Sequence, residues 1–112
     1  MSRTYEMIIT ISNYNPAKKN ELIEACRNDW EIRDEDIWEE SGRLSCFGRS
    51  YLVETEEEFV DHLAGEIWEA NGGFCDVFVE ATFLDDLPSG DHERGLQDYQ
   101  KWIQTKKPIE EA

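Results

Sequence analysis

Residues 55–84 read TEEEFVDHLAGEIWEANGGFCDVFVEATFL, a helix signal followed at once by a strand signal. Thr55 suits an N-cap, and Glu58, three residues on, can return a bond to the cap N–H; the pair forms a capping box. Glu56, Glu57 and Glu58 also fall at the positive end of the helix dipole. At 100° per residue, Phe59, Val60, Leu63, Ile67 and Ala70 share one arc. Glu57, Glu58, Asp61 and Glu69 lie on the opposite arc, with His62 among them. Asn71-Gly72-Gly73 ends the helix. From Phe74 to Leu84 the period drops to two. Cys75, Val77, Val79, Ala81 and Phe83 take a core face, while Phe74, Asp76, Phe78, Glu80, Thr82 and Leu84 take a mixed one.

The flanks repeat this grammar. Residues 4–12 alternate, with Tyr5, Met7, Ile9 and Ile11 on the side to be buried. Asn15 then suits an N-cap and Pro16 a first helical position, opening a helix of about residues 16–28. Its inner face carries Leu22, Ile23 and Cys26. Asp29 to Glu40 is acidic, read as a loop entering a strand near Asp36 and turning at Ser41-Gly42. Arg43 to Val53 returns as a strand with Leu44, Cys46, Tyr51 and Val53 inward, and Gly48 within it marks a bulge or break. Asp85 to Gly90 reads as a loop. Ser89 or Asp91 then caps a last helix of about residues 92–104, and residues 105–112 form a frayed tail. Trp38 and Trp68 are both read as core.

The order β-α-β-β-α-β-α predicts a single α+β domain over residues 1–112. The expected architecture is ferredoxin-like, a four-stranded antiparallel sheet with its helices on one face. The added C-terminal helix is expected over the other sheet face, where Ile8, Phe74 and Phe78 would otherwise be exposed.

Charge is the feature out of the ordinary. The 112 residues hold 26 acids and 11 bases, a net −15. From Ser50 to Glu93 there is no Lys or Arg, while 13 acids occur. Direct binding to nucleic acid or an anionic membrane is excluded by repulsion. No run approaches the roughly 20 apolar residues of a membrane helix, and the N-terminus lacks a signal-peptide pattern. Cys26, Cys46 and Cys75 read as reduced core thiols of a cytoplasmic protein.

Chemistry-bearing motifs are scarce. His62 and His92 sit in no nucleophile setting, so no catalytic residue is assigned and the protein is expected not to be an enzyme. His62 reads as a solvated surface residue. Asp34-Glu35-Asp36 and Asp85-Asp86 offer hard oxygen ligands, but the EF-hand spacing is missing, and no Cys or His pair supports zinc. No metal or cofactor is assigned. Gly72-Gly73 follows a helix rather than a strand, the reverse of a phosphate-binding loop.

The runs Asp34-Glu35-Asp36, Glu39-Glu40, Glu56-Glu57-Glu58 and Asp85-Asp86, in a short chain without a catalytic motif, resemble small acidic inhibitors of phages and mobile elements. These are the DNA-mimicking antirestriction and anti-CRISPR proteins. The resemblance implies a non-enzymatic inhibitor whose acids occupy the basic surface of a nucleic-acid-binding protein, such as a CRISPR effector complex or a restriction enzyme. The residues expected to carry it are Asp34, Glu35, Asp36, Glu57, Glu58, Asp61, Glu69, Asp85 and Asp86. A monomer or homodimer would serve. The alternative is a small-molecule-binding or regulatory module of the same fold. Mimicry requires one negative face that spans at least two of the acidic runs.

Overall fold

The computed structural model describes residues 3–84 and 89–106. β1 (Arg3–Ser12) is the middle strand of a single antiparallel sheet. It pairs with β3 (Arg43–Leu52) on one side and β4 (Asp76–Phe83) on the other. β2 (Ile32–Glu40) flanks β3, and β5 (Ser89–Arg94) flanks β4, giving the order β2-β3-β1-β4-β5. The class is therefore α+β. The expected four-stranded ferredoxin-like sheet is corrected to five strands.

The fifth strand is Ser89–Arg94, read from sequence as a loop and the start of a helix. It holds no apolar residue, so nothing local marks it. Pairing with β4 makes it a strand: Gly90 opposes Ala81, His92 opposes Val79 and Arg94 opposes Val77. Ser89 and Asp91 therefore lie within a strand rather than at the start of the last helix. The last helix, α3 (Leu96–Lys106), begins after Gly95, whose N–H donates to Asp98 Oδ2 at 2.9 Å.

Two helices cover the face to which Tyr5, Met7, Ile9 and Ile11 point. A turn of 3-10 helix at Pro16–Lys18, capped by Asn15 accepting from Ala17 N–H, leads into α1 (Lys19–Asp29). α2 (Glu56–Asn71) carries the expected capping box, with Thr55 Oγ1 accepting from Glu58 N–H and Thr55 N–H donating to Glu58 Oε1, each at 3.1 Å. Gly72 closes it in the left-handed region, at φ 78°. Leu22, Cys26, Phe59, Val60, Leu63 and Ile67 pack on Met7, Ile9, Ile11, Leu44, Val77 and Val79. Each such side chain withdrawn from water contributes about 1.5–3 kcal/mol before entropy is counted. The three cysteines are buried and free.

α3 does not cover the second sheet face. Tyr99 meets Trp68 edge-on, Trp102 packs against it at a tilt, and Phe74 meets Tyr99, so α3 lies beside α2 on the helical side. Trp68 is core as expected. Trp38 is not: it stands 44% exposed on the uncovered face. Tyr51 and Val53 are also exposed rather than inward.

β2 starts at Ile32, earlier than the expected entry near Asp36, but its register with β3 shifts between Ile32 and Ile37. The irregularity thus belongs to β2, while β3 runs unbroken through Gly48. Ser41 and Gly42, both at positive φ, make the expected tight turn between β2 and β3. α3 extends through Lys106; most of the expected tail and the Asp85-Asp86 pair lie outside the described residues.

Candidate functional site

The acids on α2 are not left without bases. Glu57 and Asp61, one turn apart, both bind the Arg94 guanidinium, Nη2 to Glu57 Oε1 and Nε to Asp61 Oδ1, each at 2.7 Å. The Arg94 side chain is only 11% exposed. His92, two residues earlier and on the same face of β5, reaches Glu56 Oε1 through Nε2 at 2.8 Å and Glu57 Oε2 through Nδ1 at 3.3 Å. Tyr5 O–H donates to Glu56 Oε2 at 2.6 Å. The first base beyond the base-free stretch is thus folded back under its acids. Glu58 is committed to the capping box.

Asp34 pairs with Arg27, and Glu35 lies 3.9 Å from Arg33. Glu69 lines a groove of about 630 Å³ between α1 and α2 with Glu21, Glu24 and Glu66. Asp34 and Glu35 belong to β2 at one sheet edge, while Glu57 and Asp61 join Arg94 on β5 at the other. Four strand spacings of about 4.8 Å put these edges roughly 19 Å apart. Among the described residues, the expected site residues are therefore not all gathered on one face.

A different set of acids is gathered. No described element covers the sheet face opposite α1 and α2. Alternation and register place Glu6, Asp76, Glu80, Asp91, Glu93 and Glu40 on it. Asp36, from the expected set, joins them: it lines a hollow of about 690 Å³ at the β2 irregularity, with Phe47 and Arg49. The bases of this face in the described strands are Arg43 and Arg49, with Arg33 lining the same hollow as Asp36, and Arg49 binds Glu6. Phe47, Ile8 and Phe78 are half-buried at its centre, with Trp38 at the side. Glu80 stands directly opposite Asp91 across the β4–β5 ladder. Like charges so placed destabilise a sheet by roughly 0.2–1 kcal/mol. This face draws on two of the four acidic runs, through Asp36 and Glu40, and on four acids of the base-free stretch that lie outside those runs, Asp76, Glu80, Asp91 and Glu93. Asp76 and Glu80 were legible as part of a mixed strand face; Asp91 and Glu93 were not, because β5 was not.

A second constellation joins the helices. Asp29 ends α1, and His62 and Glu66 are one turn apart on α2. His62 Nε2 lies 2.9 Å from Glu66 Oε2 and 3.5 Å from Asp29 Oδ1. One ligand atom from each of the three residues falls within 4.8 Å of the others. Asp29 Oδ2 and Glu66 Oε1 are shut off from solvent with no hydrogen-bond partner. His62 is exposed, as expected of a surface residue, but it is not simply solvated. The His-x-x-x-Glu spacing was visible in the sequence; the third member, from another helix, was not.

Burial raises the Glu66 carboxyl above its ordinary value, and the adjoining Asp29 raises it further, against the opposing pull of His62. Between the unfolded and folded pKa values the native state then binds more protons, so Glu66 makes stability fall as pH rises through that window. Glu66→Gln is expected to stabilise the fold at pH 7 by a few tenths to about 1 kcal/mol, given the partial exposure of the site. It should also remove that part of the gain seen when wild type is taken from pH 7 towards 5. Thermal melts of both proteins across this range check it; parallel curves would refute it.

Thiol chemistry finds no support in two of the cysteines. Burial pushes Cys75 up to about 12, and hydrogen bonding with Cys46 plus burial hold Cys26 well above the usual thiol range. No helix among the described residues is long and apolar enough to cross a membrane. No protein-family model, curated protein or solved structure matches the chain.

Proposed function

We propose that this protein is a non-enzymatic inhibitor that lays the uncovered face of its sheet on the cationic nucleic-acid site of a larger protein. The observation that carries the reading is the face itself: acids from β1, β2, β4 and β5 around a half-buried apolar centre, with Glu80 and Asp91 held opposite one another at a cost in stability. Carboxylates about 5 Å apart across strands and about 7 Å apart along one offer a cationic groove repeated acceptors. Attraction of this sign speeds encounter and makes it salt-dependent. Phe47, Phe78 and Trp38 supply the apolar contact that holds the partner once met. Pairing two copies through this face would set like charges together, so the partner is a basic surface rather than a second copy.

The α2 acids take a lesser part in this reading, because Arg94 already occupies Glu57 and Asp61. The test compares wild type with a triple variant, Glu80→Gln, Asp91→Asn and Glu93→Gln, against the partner captured from the host and then purified. Wild-type binding is expected to be competed by duplex DNA and weakened by salt. The triple variant should bind at least tenfold more weakly, on the order of 1.4 kcal/mol, while folding at least as stably. Arg94→Gln, which releases Glu57 and Asp61, should leave affinity unchanged. Full affinity in the triple variant would sink the proposal.

A further inference from the structure

We propose that Asp29, His62 and Glu66 bind a divalent transition-metal cation of the Zn²⁺ class between the end of α1 and the middle of α2. The inference is independent of the sheet-face reading and uses none of its residues. An imidazole and two carboxylates make a ligand set of borderline softness, suited to Zn²⁺ and its first-row neighbours more than to Mg²⁺ or Ca²⁺, which take oxygen ligands. Bonds of about 2.0–2.2 Å in a tetrahedron require ligand atoms about 3.3–3.6 Å apart. The separation of 3.5 Å from His62 to Asp29 meets that requirement, and the 2.9 Å from His62 to Glu66 needs only a small opening of the pair.

The second argument is the pair of stranded oxygens. A buried carboxylate oxygen without a partner is costly, and here two carboxylates present one each, Asp29 Oδ2 and Glu66 Oε1. Both are acceptors, so they cannot satisfy one another unless one carboxyl holds a proton. The oxygens nearest His62 are the other two, Asp29 Oδ1 and Glu66 Oε2, so a cation held there offsets the charge of both carboxylates and reaches the stranded oxygens through bidentate binding. The positions are fixed from both helices. His62 and Glu66 share one face of α2 at i, i+4. Asp29 is held by its neighbour Trp30, whose ring meets Phe59 of α2 edge-on and whose Nε1–H donates to Gly48 O at 2.9 Å. Asp29 is 15% exposed and His62 60%, so an ion would rest on buried carboxylate and face water on the imidazole side. Three protein ligands leave a fourth position for water or a donor from a partner.

The test titrates the full chain with Zn²⁺ alone at pH 7, following heat and the imidazole NMR signals of His62 and His92. One Zn²⁺ per chain is expected, with shifts centred on His62. His62→Asn and Glu66→Gln should each weaken binding at least tenfold, and Mg²⁺ and Ca²⁺ should bind wild type no better than the variants. Thermal melts in chelator report on folding, and Glu66→Gln, which removes one of two abutting charges, provides a folded variant. Equal binding by wild type and both variants would overturn the site. So would shifts confined to His92.

Discussion

Replacing Gly48 with alanine is expected to cost about 3 kcal/mol, the upper part of the range for overpacking a filled site. In a domain of this size that lowers the melting temperature by roughly 10–20 °C. Gly48 is buried in β3, opposite Met7 on one side and Ile32 on the other. A methyl carbon built there would lie 2.8 Å from Trp30 Cδ1 and 3.0 Å from the Glu31 carbonyl carbon, and closer still to the Glu31 oxygen. That obstacle is mostly backbone, which cannot rotate away as a side-chain tip can. Relief would require the Trp30–Ile32 segment to lift, breaking the Trp30 Nε1–H bond to Gly48 O and moving Trp30 off Phe59. Circular dichroism melts and tryptophan emission measure the effect. A fall of less than ~3 °C would mean that β2 yields easily, and the close approach would lose its claimed importance.

Asn71→Leu is expected to cost about 2–4 kcal/mol through three stranded backbone groups rather than through volume. The buried Asn71 amide accepts from Asn15 N–H at 2.7 Å and donates to Gly73 O at 3.2 Å and Phe74 O at 3.1 Å. It ties the entry to α1 to the exit from α2, segments 56 residues apart in sequence. Each buried group left without a partner costs roughly 1–3 kcal/mol, and water recovers part of this near the surface. Hydrogen exchange gives a specific readout: the Asn15 amide should be protected in wild type and exchange far faster in the variant. If it stays slow in Asn71→Leu, another acceptor serves it and the assigned role fails.

Local signals carried most of the helices and inner strands. The capping box at Thr55, the arc from Phe59 to Ala70 and the alternation of residues 5–11 and 75–83 all depend on neighbours in sequence. β5 could not be read in that way, because Ser89-Gly90-Asp91-His92-Glu93-Arg94 becomes a strand only by pairing with β4 and sliding His92 and Arg94 beneath α2. Missing that strand also hid the base that binds Glu57 and Asp61, and the acids that β5 adds to the sheet face. Trp38 was misread for a related reason: hydrophobicity implies burial only where something lies on top, and α3 docks on Trp68 instead. The Asp29–His62–Glu66 cluster was half legible, two members by helical spacing and the third only through packing.

The irregular β2 and the short β5 have a consequence for solubility. Both are outermost strands, and an outermost strand is a ready template for joining another chain in a continuous ladder. β2 breaks its register and carries Arg33-Asp34-Glu35 in succession, so it offers no long flat row of free amides. β5 is six residues long and bears Asp91 and Glu93. A sheet face that no described element covers is thus bordered by rims that resist edge-to-edge joining, and the acids on that face set like charges against any second copy.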